Sequence, residues 1–335
     1  MRKSRIKTWI WVAPWFVLIA EHSLGILWCS PNLPDASSLV GSRTRPAAAP
    51  RPLLPQLTVS RSTSCQFRWI SDTVAVQDRR RIPRILHQTS KTRCLTPNLA
   101  RNTEAWRTRL PDHEYYLHDD EAIQRLFEYE FAFFPLLEPV VQHCLMHGTL
   151  KADLWRYLVL WEYGGIYADL DTAPNLWNIT TIQPEDDAVF VVEQYHVLSQ
   201  YFMALSPRHP LMWYATTVAL ENLWNALDTG SVPASLTTGP HALHRALREF
   251  LYPQPMDPLA EGYTPVHAGL YQAHNRTIRV LGQAAQQNEY VERDTLSTHD
   301  KRAAYQKLGM RHFQQDRKHR SGISCKEAVR QHEYN

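Results

Sequence analysis

Asp169 and Asp171 stand one residue apart, directly after the short apolar run Ile166-Tyr167-Ala168. Alternation along a strand puts residues i and i+2 on one side, so a strand ending here projects both carboxylates together. Two such groups repel one another unless a cation sits between or near them, and all-oxygen ligands select a hard dication, Mn²⁺ or Mg²⁺. A dication at that place would bridge the protein to a diphosphate. Eighteen to thirteen residues upstream, Asp153 and Arg156 lie at i, i+3 within a strongly apolar stretch. Charges in such a setting must be paired or hydrogen-bonded. A purely structural Asp–Arg pair accounts for them equally well.

The elements that would position these groups follow from the same segment. Leu150, Leu154, Leu158 and Trp161 form one helical stripe, and Trp155, Val159 and Leu160 make the other faces apolar too. The spacing predicts a helix buried nearly all round. Gly164-Gly165 ends it, because glycine takes the left-handed cap conformation without steric cost, and the chain turns into the strand that delivers Asp169 and Asp171. Open α/β sheets bind ligands at the carboxyl ends of their strands. Upstream, Ile82-Pro83-Arg84-Ile85-Leu86-His87-Gln88 reads as a short strand with Pro near its start. Thr96-Pro97 starts a helix running through Trp106, Tyr115 to Leu117 is a second strand, and Asp119 or Asp120 caps a helix bearing Ile123, Leu126 and Phe127. Strand and helix alternate, which argues for an α/β layer architecture. A further helix is expected from about His209 to Asp228, with Trp213, Tyr214, Leu220, Leu223 and Trp224 as core. Asp186-Asp187 reads as a solvated turn, and no pattern is legible after Asn288.

The bulk properties exclude some classes. The chain has 335 residues, 44% hydrophobic and 21% charged, with a net charge of +3. That suffices for a large core and gives no basic stripe for nucleic acid. Cys65, Cys94, Cys144 and Cys325 form no C-x-x-C pair, so zinc is not expected; in an oxidising compartment they allow one or two disulfides in three pairings. Arg2, Lys3, Arg5 and Lys7 precede an apolar run from Trp9 to Cys29, interrupted by Glu21 and His22. Its length and the basic flank favour a signal anchor, with a cleaved signal peptide as the rival. Asn178-Ile179-Thr180 and Asn275-Arg276-Thr277 are N-glycosylation triplets. The Pro-, Ala- and Ser-rich stretch from Pro31 to Ser64 reads as a stem, and Arg79-Arg80-Arg81 as a solvated linker into the folded part. The expected organisation is a tail and anchor over residues 1–30, a stem over 31–80, one domain over 81–290 and a polar tail over 291–335.

The block A-D-x-x-R, buried helix, G-G-x-Y and D-x-D resembles the signature of glycosyltransferase family 32. The likeness extends to Ile82–Thr89, Leu110–Glu121, Phe202-Met203-Ala204 with Pro207–Pro210, and Thr238-Gly239-Pro240, covering about Ile82 to Leu251. It implies a GT-A type, Rossmann-like α/β domain, a nucleotide-sugar donor, a glycan or glycolipid acceptor, Golgi residence as a type II membrane protein, and transfer with retention of configuration. Residue by residue, it implies that Asp171 ligates Mn²⁺ or Mg²⁺ and that Asp169 helps to hold the metal while contacting the donor. Asp153 and Arg156 would hold the donor sugar and the diphosphate end with Tyr167 beside them, and His87 and Gln88 would line the nucleotide pocket. The H-Q-T and A-D-L-x-R-Y-x-V-L pattern is similar to the mannosyltransferase branch, so mannose from GDP-mannose is favoured over UDP-galactose or UDP-N-acetylglucosamine. Two departures stand out: Gln200 replaces the family's frequent Asn, and its His-containing C-terminal segment has only His299 and His312 as candidates. A phosphatase of the haloacid-dehalogenase type is a rival, but it needs Thr or Val four residues after the first Asp, where this chain has Ala173. A lumenal protein that binds without turnover is the other.

Overall fold

The computed structural model describes residues 80–335 except 92, 94, 129–130, 132, 145–147, 228–231, 253–263, 295–298, 301, 304–305, 307–321 and 334–335. The apolar N-terminal run, the stem, Cys65, Cys94 and His312 lie outside the described residues. Among the described residues no helix is long and apolar enough to cross a membrane.

A mixed seven-stranded sheet organises the chain. Its first strand, β1 (Ile85–Thr89), pairs in parallel with both β2 (Glu114–His118) and β3 (Gly165–Ala168). β6 (Leu198–Leu205) is antiparallel to β3 and to β5 (Ala188–Val192), and β8 (Arg276–Leu281) is parallel to β5. The edge strand β7 (Gly269–Ala273) joins β8 through a hairpin. The order is therefore β2-β1-β3-β6-β5-β8-β7, while β4 (Thr172–Pro174) and β9 (Val291–Arg293) form a separate ribbon. Strands β1, β2, β3, β5 and β8 all point the same way, so their carboxyl ends share one edge of the sheet.

Helices cover both faces, which is why the central strands are buried throughout. α1 (Pro97–Arg109) begins at Thr96, whose hydroxyl accepts from the Leu99 N–H, with Pro97 in the first turn. It packs on one face with Trp106, Trp177 and Phe202. α2 (Asp120–Phe127), capped by Asp119, lies on the other, with α3 (Leu137–His143), α4 (Gly148–Tyr163) and α5 (Pro210–Trp224). α6 (Ala234–Thr237) and α7 (Pro240–Leu251) complete that layer. α4 is buried from Asp153 to Trp161 and again at Tyr163, as its all-round apolar sequence requires.

Three elements depart from the sequence expectations. Asp186 and Asp187 are not in a solvated turn. Asp187 is fully buried and accepts from Arg81 and Arg276, each at 2.8 Å, and from the Thr277 N–H; Asp186 accepts from Arg279 and the Gln183 N–H. Two adjacent acidic residues look like surface when their cations lie about 90 residues away. The same contact means that the basic cluster is no plain linker: Arg81 reaches Asp187, and Arg80 donates to the Ile179 carbonyl. Beyond Asn288, β9 and a final helix, α8 (Cys325–Glu333), are present. α8 is tied to the end of α3 by a Cys144–Cys325 disulfide.

Candidate active site at the D-x-D turn

The double glycine is what brings a helix and a strand together at the site. Gly164 and Gly165 both have positive φ, 62° and 95°. A Cβ on Gly164 would lie 2.6 Å from the Pro207 nitrogen, and one on Gly165 2.7 Å from the Ile85 carbonyl oxygen. No side chain fits either place. The chain therefore reverses within two residues, and β3 runs back past the last turns of α4.

This reversal aligns Arg156 with Tyr167 and Asp169. The Arg156 guanidinium stacks over the Tyr167 ring at 4.6 Å. Its Nη1 lies 3.5 Å from Asp169 Oδ1 and donates to the Gln200 carbonyl at 3.0 Å; its Nη2 lies 3.2 Å from Asp153 Oδ1. The Tyr167 hydroxyl donates to the same Asp169 Oδ1 at 2.5 Å. Asp153 is held from the far side by the Thr238 hydroxyl at 2.8 Å. The Gln200 amide donates to the Tyr157 hydroxyl and to the Thr238 carbonyl, at 2.7 and 2.9 Å. Asp153, Arg156, Tyr157, Tyr167, Gln200 and Thr238 are thus one buried polar network that ends on one oxygen of Asp169.

Burial pushes the Asp153 carboxyl up to about 6 against the opposing pull of Arg156 and the Thr238 hydroxyl. Burial also works against charge on Arg156, but Tyr167, Asp169 and Asp153 outweigh it and keep the guanidinium protonated. Both values rise, which disfavours charge on Asp153, where burial dominates, and favours it on Arg156, where several acidic neighbours together outweigh burial. Arg156 stays charged, and Asp153 is the member left under-compensated.

The two carboxylates of the motif are placed by a turn rather than by a pleat. β3 ends at Ala168; the Asp169 N–H donates to the Tyr201 carbonyl, and the Thr172 N–H closes a turn onto the Asp169 carbonyl at 3.1 Å. The Thr172 hydroxyl and the Gln88 amide donate to that same carbonyl. Asp171 sits inside the turn, its own carbonyl accepting from the Asp294 N–H at 2.7 Å. Asn102 braces the turn by donating to the Leu170 carbonyl and to Asp294. Trp106 donates its indole N–H to the Thr172 carbonyl and stacks on Phe202, so it packs beneath the turn.

The Asp169 side chain is 23% exposed, in contrast to 4% for Asp153, and Asp171 is 9% exposed. Among the described residues no group of three or more His, Cys, Asp or Glu forms a metal cage, and the exposed His299 joins none. A pair of carboxylates on one turn suits a hard dication that completes its shell with water and substrate phosphate. Such all-oxygen donors are compatible with a hard dication such as Mn²⁺ or Mg²⁺.

Residues 84–189 match the family model described as the glycosyltransferase sugar-binding region containing a DXD motif. An initiation-specific alpha-1,6-mannosyltransferase of Schizosaccharomyces pombe is 28% identical over 167 residues, 44% of this chain and 42% of that one. Over residues 84–189 the chain is similar to DXD-containing glycosyltransferases. Inositol phosphoceramide mannosyltransferase 1 of the same yeast is 28% identical over 153 residues, 43% of this chain and 44% of its own. The initiation-specific alpha-1,6-mannosyltransferase of Saccharomyces cerevisiae is 43% identical over 63 residues, 18% of this chain and 13% of that one. The chain spans less than half the length of each of these relatives. Among solved structures, the PaToxG glycosyltransferase aligns over 50% of this chain and 69% of its own at 17% identity and a TM-score of 0.38.

Within this glycosyltransferase-like region, the residues expected at the nucleotide pocket are fully buried. His87 Nε2 faces the Gly164 carbonyl and its Nδ1 faces His118, both at 3.1 Å. Gln88 accepts from Thr103 and Tyr115 and donates to the Asp169 carbonyl. Both are fully buried; Gln88 holds the turn through the Asp169 carbonyl, and His87 contacts the carbonyl of Gly164 at the end of α4. The strand neighbours on the other side of Asp169 drew no attention in the sequence. Tyr201 lies under the Arg293 guanidinium at 4.9 Å, and Glu193, just past β5, accepts from the Gln200 N–H at 3.3 Å. Burial raises the Glu193 carboxyl, with Arg293 opposing and Asp169 adding to the shift. Only the tertiary pairing of β4 with β9 brings Arg293 to this edge, opposite Thr172.

Proposed function

We propose that the protein is a metal-dependent, retaining glycosyltransferase that moves a hexose, mannose from GDP-mannose in the first instance, onto a glycan or glycolipid acceptor in the Golgi lumen. The observation that supports this reading best is the one-sided occupation of Asp169. One oxygen is fixed by Tyr167 and Arg156, and the side chain still keeps contact with solvent at the carboxyl edge of the sheet. The buried structural aspartate Asp187, by contrast, has both oxygens tied down and no exposure. Bound Mn²⁺ or Mg²⁺ would neutralise charge on the departing nucleoside diphosphate.

The chain's own groups do the rest. Asp169 and Asp171 would hold the ion, on a turn already braced by Gln88, Asn102 and Thr172. Arg156, locked by Asp153, the Gln200 carbonyl and the Tyr167 ring, sets the angle of the Asp169 carboxylate. In the transfer, the bond from the anomeric carbon to the diphosphate oxygen breaks and a bond to the acceptor oxygen forms on the same face. The acceptor's proton passes to the leaving diphosphate. The mannosyl preference draws on the yeast relatives, two of which carry alpha-1,6-mannosyltransferase in their names. Golgi residence draws on the N-terminal apolar run, on the Cys144–Cys325 disulfide, which suits an oxidising lumen, and on an exposed Asn275 at the β7–β8 hairpin tip.

The test is a donor panel of GDP-mannose, UDP-galactose and UDP-N-acetylglucosamine on the purified full chain, with Mn²⁺ and with chelator, scored as released nucleoside diphosphate. Metal-dependent release from GDP-mannose supports the reading, release from a UDP-sugar moves it to the other donor, and release from none refutes it.

A further inference from the structure

We propose that Arg293 is the cation that receives the terminal phosphate of the donor's diphosphate, an assignment that rests on the glycosyltransferase reading above. The sequence points to Arg156 for this task, since it belongs to the recognisable block. Its geometry argues otherwise. A guanidinium has five N–H donors, and those of Arg156 face the Ala152 carbonyl, the Gln200 carbonyl, Asp169 and Asp153. Its side chain is 8% exposed. Turning it toward a phosphate would strip buried Asp153 of its counter-charge, which is the costly way to break a buried pair.

Charge still has to be met at this edge. Two carboxylates, one dication and a diphosphate that gains charge as it leaves sum to an excess of negative charge, and a fixed cation beside them stabilises the departing group. Arg293 is placed for it by two independent connections to the turn. Through β9 it stands opposite Thr172, and the next residue, Asp294, donates its N–H to the Asp171 carbonyl. Through its side chain it lies over the ring of Tyr201, whose carbonyl receives the Asp169 N–H. Arg293 is exposed, and among the described residues its guanidinium donates no hydrogen bond. Stacking on one face leaves the N–H edge available for a bidentate phosphate contact. The acid that faces it, Glu193, is itself anchored by the Gln200 N–H.

Calorimetry on the full chain with Mn²⁺ tests this, using GDP and UDP as diphosphate probes and GMP and UMP as controls. Arg293→Ala should weaken the diphosphate that the wild type binds by about tenfold to a hundredfold, as loss of a charge-assisted hydrogen bond does. The matching monophosphate should change less than about twofold, and Arg293→Lys should fall between. Equal losses for mono- and diphosphate, or no loss for either, overturn the assignment. A wild type that binds no diphosphate and releases none from any donor overturns the glycosyltransferase reading and this inference together. A wild type that turns over alongside an unaltered Arg293→Ala removes this inference alone.

Discussion

The sheet carries an aspartate in a charged cluster at each end of its parallel strands, Asp187 before β5 and Asp169 after β3, and the two clusters are built differently. At the amino end Asp187 is fully buried and receives Arg81, Arg276 and the Thr277 N–H on its two oxygens. At the carboxyl edge Asp169 has one oxygen fixed by Tyr167 and Arg156 and keeps its side chain 23% exposed. The residue types are the same: aspartates, arginines and a hydroxyl. What separates a brace from a site is saturation: the first cluster has more donors than acceptors and closes the sheet's lower edge, while the second shares one arginine among several acids and presents the surplus outward. A cation and a diphosphate are what such a surplus can accept.

Two substitutions should break this contrast in opposite directions, with the largest effects of any considered. Asp171→Ala removes a side chain, while the Asp294 N–H still finds the backbone carbonyl. Turnover of nucleotide sugar per folded molecule should fall by about 10³-fold, the scale of losing a preorganised charge at the reacting centre. Asp187→Ala leaves the Thr277 N–H, Arg81 and Arg276 without their acceptor and should cost about 1–3 kcal/mol of stability, read by denaturant unfolding, with turnover per folded molecule retained. An Asp171→Ala enzyme with full activity, or an Asp187→Ala chain of undiminished stability, would show that the two ends are not distinguished as argued.

A middle-sized effect sharpens how the site cluster is held. The Thr238 hydroxyl is the donor that fixes Asp153 from the far side of α4, so Thr238→Val removes it at nearly constant volume. The donor KM should rise by about tenfold, as expected for one hydrogen bond to a charged group, with kcat changed less, and Thr238→Ser should restore most of it. If the valine and serine variants behave alike, Thr238 is packing and Asp153 is positioned by Arg156 alone.

The chemistry-bearing block was legible because it is local. The buried helix, the two glycines and the short strand lie within about twenty residues, and the glycines' conformations follow from their position between helix and strand. The turn over Asp169–Thr172 was not foreseen, because alternation in a strand and a four-residue turn both satisfy D-x-D; the hydrogen bond from Thr172 decides. His87 and Gln88 were expected at the nucleotide pocket, yet pairing of β1 with β2 on one side and β3 on the other buries both polar side chains. Asp186, Asp187, Glu193 and Arg293 were illegible for one reason. Their partners are set by β5–β8 and β4–β9 pairing across about 90 to 120 residues, and no spacing pattern encodes that. α8 was missed because its tether is covalent and distant rather than periodic.

The smallest effect concerns pH and the uneven charge sharing around Arg156. Burial raises the Asp153 carboxyl to about 6, so between about pH 4 and 6 the folded chain holds a proton that the unfolded chain has released. Stability from this group is full below pH 4 and is lost as pH rises through 6. Buried His209 acts the other way: burial lowers it to about 3, so its contribution grows as pH rises from 3 toward the ordinary histidine range. The two windows overlap, and a wild-type melting curve alone would show little slope. The difference between wild type and Asp153→Asn cancels His209 and isolates Asp153. That difference in melting temperature should shrink by a few °C from pH 4 to pH 7. A difference that is flat, or that grows with pH, would mean that Arg156 compensates Asp153 fully and that the guanidinium is not shared with Asp169.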